Sequence, residues 1–215
     1  MLTVSTPPFT LTEVTAKRSA YHHGDLRRAL MDETTRTIRE EGVEAVTLRA
    51  IGRRLGVSRT ALYRHFSDKS ALLSAVAREG FQRFTRDLLA AWKGGGGGAT
   101  GLQAMGAAYV HFAIANPSHY RVMFGGFKEL GGQDPELQTE ATASFHVLLE
   151  AIVALQRDRI LAPDEPLVLA HYIWATVHGI AMLAIDGQLG PDPGAAEALV
   201  PYALGRLAIG IAASA

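Results

Sequence analysis

The chain has 215 residues, of which 48% are hydrophobic, and this is enough to form a packed core in one large domain or in a small and a larger one. It contains no cysteine, which excludes a disulfide framework, a thiolate zinc site and a cysteine nucleophile, and which predicts a cytoplasmic location. The formal net charge is zero, but residues 1–93 hold 16 Lys and Arg against 10 Asp and Glu, whereas residues 94–215 hold 5 against 11. A basic N-terminal part therefore precedes an acidic remainder, and this asymmetry is expected where one end of a protein faces phosphates.

Neither end of the chain has the pattern of an export or membrane segment. Residues 1–16 contain Pro7, Pro8 and several Ser and Thr but no continuous apolar block, so they are predicted to form a disordered tail. The most apolar stretch, residues 198–215, is interrupted by Pro201 and Arg206. We therefore predict no transmembrane helix and no membrane partner.

The first helix is predicted over residues 25–41. Asp25 is placed near its N-terminus, where a carboxylate is favourable, and Gly42 ends it. Leu30 and Ile38 lie on one side of this helix and are predicted to face the core.

Residues 47–66, TLRAIGRRLGVSRTALYRHF, have the pattern of two short helices joined by a tight turn. Apolar residues repeat at three- and four-residue intervals, stop at Gly56 and resume on a new axis. Thr47 and Ser58 are placed as N-caps of the two helices, and Gly56 tolerates the positive φ of a sharp turn. The pattern predicts a helix-turn-helix unit.

The side of this unit that does not face the core is basic and rich in hydrogen-bond donors: Arg49, Arg53, Arg54, Arg59, Thr60, Tyr63, Arg64 and His65. A recognition helix needs long donors near its N-terminus to reach base edges, and it needs hydroxyls, imidazole and cations to hold phosphates. We expect Arg59 and Thr60 to contact bases, and Thr47, Tyr63 and His65 to contact phosphates. A solvated basic helix pair with another role is the alternative interpretation.

A connecting helix is predicted over residues 67–93, with Ser67 as its N-cap. Lys69 places a cation near the positive end of this helix, so we expect a compensating anion, for which a DNA phosphate is the candidate. Five consecutive glycines follow, and each costs about 1 kcal/mol in a helix interior. Residues 94–99 are therefore predicted to form a flexible linker at a domain boundary.

The stretch from Tyr21 to Leu73 resembles the DNA-binding domain of the TetR family of bacterial transcriptional repressors. Its FSDKSALL segment contains the aromatic residue, the lysine and the leucine pair of that pattern at Phe66, Lys69 and Leu72 to Leu73. Further along, WATVHG is similar to a subgroup whose ligand-binding half has a Trp-x-x-x-His-Gly signature. The resemblance implies a DNA-binding domain over residues 17–66 and a ligand-binding and dimerisation domain over residues 100–215. The DNA-binding residues predicted in this way are Thr47, Arg49, Ser58, Arg59, Thr60, Tyr63, Arg64, His65 and Lys69.

The C-terminal half is predicted to be helical, because no stretch shows sustained alternation of apolar and polar residues. The expected fold is all-α, with about nine helices. The last two helices, about residues 167–189 and 195–213, are rich in small residues that allow close helix packing. The resemblance implies that they pair with a second copy of the chain to form a homodimer, as a two-fold operator requires. Packing of both helices inside one subunit is the alternative.

The C-terminal half contains five of the eight histidines and more aromatic residues than simple helix stripes need. Helical bundles bind small molecules in cavities between helices, and the resemblance implies such a cavity, whose occupant lowers DNA affinity. We predict a hydrophobic or planar ligand that contacts Tyr109, Phe112, Met123, Phe124, Phe127, His146, Trp174 and His178. No metal and no cofactor are predicted, because His171 and His178 are seven residues apart, which is too far for two ligands of one ion on adjacent turns.

The expected function is therefore that of a ligand-released repressor. A transcriptional activator and a ligand-independent DNA binder are the alternatives of the same class. An enzyme that uses His111 or His178 as a base is disfavoured, because no nucleophile elbow, metal dyad or glycine-rich phosphate loop accompanies these residues.

Overall fold

The computed structural model describes residues 23–125, 134–190 and 194–212. The described residues are all-α, as predicted, and form nine α-helices with one short 3-10 turn, Val43–Ala45. The helices are α1 His23–Glu41, α2 Leu48–Arg54, α3 Arg59–Tyr63, α4 Lys69–Gly94, α5 Gly98–Ala115, α6 Pro117–Gly125, α7 Pro135–Arg157, α8 Pro166–Ile185 and α9 Ala195–Ile211. The predicted tail and the predicted ligand contact Phe127 lie outside the described residues.

Helices α1 to α3 pack into a small N-terminal unit. Leu30, Ile51, Leu62 and Phe66 are buried in its core. The hydroxyl of the buried Thr34 donates to the carbonyl of Leu30, one turn earlier in α1. The burial of this polar residue is therefore compensated inside its own helix.

Arg54, which the sequence pattern assigns to the exposed basic side, is turned back onto α1. Its guanidinium forms ion pairs with Glu33 and Glu41 and donates to the hydroxyl of Thr37 at 3.1 Å. The end of α2 is thereby attached to the C-terminal half of α1. The charge of Arg54 is used inside the N-terminal unit, which the local sequence pattern did not reveal.

The N-cap of α4 lies one residue later than predicted: it is Asp68 rather than Ser67. The Asp68 carboxylate accepts from the backbone N–H of Ala71 at 2.8 Å and from the Ser67 hydroxyl at 2.9 Å. Asp68 is the N-cap because a carboxylate both accepts the capping hydrogen bond and complements the positive end of the helix. Ser67 supports the cap from outside.

The middle three of the five glycines, residues 95–97, form a tight turn between two helices. Gly94 is the last residue of α4 and Gly98 is the first residue of α5, so both helices extend into the stretch predicted as a linker. Gly96 and Gly97 adopt positive φ angles of 75° and 68°, which glycine tolerates without strain. The indole of Trp92 lies against the turn, 3.6 Å from the position that a Cβ atom at Gly97 would take, which is ordinary van der Waals contact.

The C-terminal helices surround α4 and α5. Helix α4 packs along α5, α6 and α7, while α8 and α9 pack on α5 and on each other. Helix α6 contacts both α4 and α1. At Gly80 the backbone of α4 approaches α6 so closely that a Cβ atom there would lie 2.5 Å from the sulfur of Met123. Helix α6 is thus in direct contact with the helix that leaves the N-terminal unit.

Candidate nucleic-acid interface and ligand cavity

The two short helices α2 and α3 have the caps that the sequence predicts. The Thr47 hydroxyl accepts from the N–H of Ala50 at 3.1 Å, and the Ser58 hydroxyl accepts from the N–H of Ala61 at 3.2 Å. Gly56 adopts a φ of 64° in the turn between them. The geometry is that of a helix-turn-helix unit with α3 as its second helix.

The close approach of α2 and α3 depends on a second glycine. A Cβ atom at Gly52 would overlap the side chain of the buried Leu62. Gly52 therefore lets α3 pack directly on the backbone of α2, and this contact fixes the direction in which α3 presents its outer side chains.

Most of the predicted DNA contacts lie on the surface of this unit. Of the nine, seven are exposed and two, His65 and Lys69, are half-buried. The guanidinium of Arg59 lies 5.5 Å from the centre of the Tyr63 ring, so the first and last residues of α3 support one another. The exposed residues are Thr47, Arg49, Ser58, Arg59, Thr60, Tyr63 and Arg64.

Lys69 forms a hydrogen bond to a distant part of the chain. Its ammonium group donates to the backbone carbonyl of Val43 at 3.0 Å, and the side chain is half-buried. This carbonyl supplies part of the negative charge density that was predicted to come from a DNA phosphate. An ammonium group has three N–H donors, so a phosphate contact is still compatible with this hydrogen bond.

A cavity of about 740 Å³ opens between α4, α5, α6, α7 and α8. This volume is typical of a small-molecule site. Four of the predicted ligand contacts, Tyr109, Met123, Phe124 and Trp174, line it. The remaining lining residues are mostly apolar: Phe81, Phe84, Leu88, Leu102, Met105, Gly106, Gly125, Ala141, Thr142, Ser144, Phe145, Leu148, His171, Ile173 and Val177.

Three other predicted ligand contacts do not line the cavity. Phe112 is buried beside it, with its ring 5.1 Å from that of Phe84. His146 is exposed on α7. His178 is half-buried and lies behind the cavity wall, where it contacts two tyrosines.

A closed hydrogen-bond network joins side chains from three helices at the cavity wall. It is formed by Tyr109 and Trp174, which line the cavity, and by Tyr120 and His178, which do not. The indole N–H of Trp174 donates to the Tyr109 hydroxyl at 2.9 Å, and the Tyr120 hydroxyl donates to the same oxygen at 2.9 Å. The Nδ1 atom of His178 lies 3.0 Å from the Tyr109 hydroxyl and 2.7 Å from the Tyr120 hydroxyl. The network joins α5, α6 and α8 across the bundle.

Burial fixes the protonation states in this network. It raises the pKa of Tyr109 and of Tyr120 well above the ordinary value for tyrosine, so both hydroxyls stay protonated. It lowers the pKa of His178, so the neutral ring is favoured and Nδ1 can accept a hydroxyl proton.

Sequence reasoning missed Tyr120, Phe145 and His171 as parts of this site. Tyr120 is fully buried, and its two partners in the network are 11 and 58 residues away in the chain. His171 and Phe145 stack at the cavity wall with ring centres 5.1 Å apart. Spacing along one helix cannot reveal such contacts between helices. Within the described ranges, no group of three or more His, Asp or Glu side chains is placed to hold a metal ion.

Helices α8 and α9 expose an apolar surface. Among the described helices, α8 is the one that is long and apolar enough to cross a membrane, and 33% of its most apolar stretch is buried in the bundle. Core helices of globular proteins reach the same length and apolar composition. We call the following set the α8–α9 face: Leu167, Val168, Tyr172, Leu183, Tyr202 and Ile209, all exposed.

An exposed helix-turn-helix unit joined to a helical body with a ligand cavity defines a DNA-binding regulator of the one-component type. Residues 30–76 match the family described as bacterial regulatory proteins, tetR family. Residues 102–207 match the family described as tetracyclin repressor-like, C-terminal domain. The chain belongs to the TetR family, which is a family of transcription regulators and not of enzymes.

Similarity to individual proteins supports this assignment. Over 67 residues the chain is 39% identical to the HTH-type transcriptional repressor Rv1474c of Mycobacterium tuberculosis. This stretch covers 31% of this chain and 36% of that repressor. Over 65 residues it is 42% identical to the HTH-type transcriptional regulator BetI of Cronobacter sakazakii. This stretch covers 30% of this chain and 32% of BetI. The chain thus spans about a third of the length of these curated relatives.

Solved structures extend the similarity over nearly the whole chain. A protein of unknown function from Rhodococcus sp. RHA1 superimposes with a TM-score of 0.80 at 33% identity, covering 91% of this chain and 100% of that one. The putative regulatory protein SCO4313 superimposes with a TM-score of 0.69 at 25% identity, covering 86% of this chain and 96% of that one.

Proposed function

We propose that this protein is a ligand-released repressor that binds a palindromic DNA operator as a homodimer. The observation that carries the proposal is the exposure of Arg59 and Thr60 at the N-terminal end of α3, on a helix-turn-helix unit of a TetR family member. Long donors at this end of a recognition helix are in the position from which base edges in the major groove are read.

The proposed DNA contacts fall into two groups. Arg59 and Thr60 read bases, while Thr47, Tyr63, His65 and Lys69 contact phosphates and fix the position of α3 in the groove. Arg49, Ser58 and Arg64 complete the interface. Thr47 and Ser58 use their hydroxyl oxygens as helix caps, so each can still donate its hydroxyl proton to a phosphate.

The homodimer uses the α8–α9 face. This surface is exposed and apolar, and the corresponding helices of a second copy can cover it around a two-fold axis. Two copies related in this way present two α3 helices to the two halves of a palindromic site.

The effector enters the cavity between α4 and α8 and favours a conformation with lower DNA affinity. Helix α6 supplies Met123 and Phe124 to the cavity wall and also contacts α1 and α4. A ligand that displaces α6 therefore changes the position of the N-terminal unit relative to the body. The shift is limited by the difference in the ligand's affinity for the two conformations.

Further expectations from the sequence belong to the same proposal. The effector is hydrophobic or planar, the protein is cytoplasmic, and residues 17–66, 67–93 and 100–215 act as the DNA-binding domain, the connecting helix and the ligand-binding and dimerisation domain. Membership in the subgroup with the Trp-x-x-x-His-Gly signature stays a prediction. A transcriptional activator with the same interface is the second candidate.

Selection of bound fragments from random duplex DNA by the purified protein tests the proposal. We expect the recovered fragments to share two inverted half-sites, because a two-fold dimer imposes its symmetry on the DNA it selects. Recovery of sequences without a common motif, or of single half-sites, would contradict the proposed palindromic recognition.

A further inference from the structure

The described wall of the cavity has no charged side chain. None of its described lining residues is Asp, Glu, Lys or Arg, and aromatic and aliphatic side chains dominate. A charged ligand would lose its hydration in this cavity without meeting a counter-ion from these residues. Burial of an unpaired carboxylate or ammonium group is far less favourable than burial of a neutral group of the same size.

The hydroxyl and indole groups of the wall are already used by the protein. The oxygen of Tyr109 accepts from Trp174 and from Tyr120, and its own proton faces the Nδ1 atom of His178 at 3.0 Å. A phenol oxygen accepts about two hydrogen bonds and donates one, so Tyr109 has no capacity left for a ligand. The single N–H of Trp174 donates to the Tyr109 hydroxyl, so it is not available to a ligand.

The other polar side chains of the wall are few. The hydroxyl of the buried Ser144 donates to the carbonyl of Ala141 at 2.7 Å, and Thr142 is exposed at the rim. A polar group of a ligand in the interior therefore has little to bind.

His171, whose side chain lines the cavity and is exposed to solvent, is the exception. Its Nδ1 atom lies 2.8 Å from the carbonyl oxygen of Leu167, and because a carbonyl only accepts, Nδ1 carries the proton. In the neutral ring the Nε2 atom is then a hydrogen-bond acceptor, and it has no partner among the described residues. The ring is held by Phe145 and Trp174, whose centres lie 5.1 Å and 6.3 Å away.

From these observations we infer that the effector is an uncharged, largely hydrocarbon or aromatic molecule with one hydroxyl group, which donates a hydrogen bond to the Nε2 atom of His171. The inference rests on the proposed function only in taking the cavity as the effector site. It assigns selectivity to two features: the uncharged wall excludes acids and amines, and His171 distinguishes an alcohol or phenol from the corresponding ether.

A competition experiment on the purified protein without DNA tests this chemistry. The uncharged fluorescent probe N-phenyl-1-naphthylamine is bound first, and it is then displaced by 1-decanol, methyl decyl ether, decanoate or decylammonium at pH 7.5. We expect 1-decanol to bind at least about a hundredfold more tightly than decanoate or decylammonium, because the ions must lose hydration without a counter-ion. We expect it to bind about three- to tenfold more tightly than the ether, the typical net effect of one hydrogen bond.

Three variants locate these effects. His171→Phe keeps a ring against Phe145 but removes the acceptor, so the alcohol should fall to the affinity of the ether while the ether is unchanged. His111→Phe makes the same replacement at an exposed histidine outside the cavity and should change neither affinity. Ala141→Phe fills the cavity and should abolish probe binding, while its circular dichroism spectrum reports whether it has folded.

If decanoate or decylammonium bound as tightly as 1-decanol, the assignment of an uncharged effector would be overturned. It would also be overturned if the protein bound neither the probe nor 1-decanol. An unchanged preference for alcohol over ether in His171→Phe would overturn the role of His171. Because DNA is absent, these results are independent of operator selection, and either proposal can fail without the other.

Discussion

The ammonium group of Lys69 donates a hydrogen bond to the backbone carbonyl of Val43, 3.0 Å away, and so joins the first residue of α4 to the turn that follows α1. This contact crosses 26 positions of the chain. It places a cation at the positive end of a helix, where a cation is normally unfavourable, next to a carbonyl oxygen that compensates it.

Lys69→Ala should therefore affect both stability and DNA binding. Loss of the hydrogen bond to Val43 should lower the free energy of unfolding by about 1 kcal/mol. Loss of a phosphate contact should weaken binding to all DNA sequences alike and reduce the slope of log K against log salt by about 0.9. Urea denaturation and fluorescence anisotropy at several salt concentrations measure the two effects. An unchanged salt slope would mean that Lys69 acts only within the protein.

Arg59→Ala should reduce specificity more than general DNA affinity. A base contact of this kind contributes about 1 to 3 kcal/mol of discrimination at one base pair. We expect this loss on the selected operator and a much smaller loss on random duplex DNA, both measured by anisotropy at fixed salt. Arg157→Ala, which removes an exposed arginine from the end of α7, is the control and should leave both affinities unchanged. Equal losses on operator and random DNA would refute base reading by Arg59.

Tyr120→Phe tests the network of Tyr109, Tyr120, Trp174 and His178. It removes one hydroxyl without changing the shape of the ring, and it leaves the buried hydroxyl of Tyr109 with one donor fewer. We expect the free energy of unfolding to fall by about 1 to 2 kcal/mol. Tyr63→Phe, at an exposed tyrosine, should change it by less than about 0.5 kcal/mol. Equal stability of the two variants would show that the network contributes nothing to folding.

The pH dependence of stability should follow His119, which is buried, and His178, which is half-buried. Burial is the main cause that lowers the pKa of His119 and of His178 below the usual 6.5. At His119 the charges of Arg83 and Arg28 lower the pKa further, whereas the charges of Glu79 and Asp32 raise it. A lowered pKa in the folded state means that the unfolded chain binds protons first. Stability is therefore fully present above pH 6.5 and is lost as the pH falls from there through the folded-state pKa values, at about 1.4 kcal/mol per pH unit for each proton.

Urea denaturation between pH 5.5 and 8 measures this dependence. His119→Gln and His178→Gln should each reduce the slope, and the exposed His111→Gln should not. If the double variant of His119 and His178 kept the full slope of stability against pH, other groups would be responsible for the pH dependence. The carboxyl of Asp68 does not contribute in this window, because its backbone and side-chain hydrogen bonds lower its pKa below the usual 3.8.

Ile209→Glu should separate the proposed dimer. Ile209 is 72% exposed on α9, and a carboxylate at this position would be buried without a partner in a symmetric interface. We expect a monomer by analytical ultracentrifugation at micromolar concentration, together with weaker operator binding. Ile114→Glu introduces the same charge at an exposed isoleucine of α5 and is the matched control. A dimer that persists in Ile209→Glu would place the interface elsewhere.

The helix-turn-helix unit was predictable because its signals are local. Thr47 and Ser58 cap helices whose first turns they can reach without help from the rest of the chain. The competition between Ser67 and Asp68 for the next cap was decided by charge at a helix end, a small difference that residue spacing does not reveal.

The parts that the sequence did not predict depend on contacts between distant segments. Intrinsic propensity alone predicts that five glycines melt a helix, but the packing of Trp92 on the turn and of α4 on α5 allows helices to reach Gly94 and Gly98. The helical spacing of His178 placed it on the same side as Trp174 but could not supply its tyrosine partners, which come from α5 and α6.

Because Gly80 has no side chain, it influences how large a compound the cavity can hold. Met123 occupies the space beside Gly80 and at the same time forms part of the cavity wall. A methyl group at position 80 would drive the flexible thioether toward the cavity and leave room only for a smaller guest. Laboratory evolution of altered inducer size could therefore begin at this position, which no inducer needs to touch.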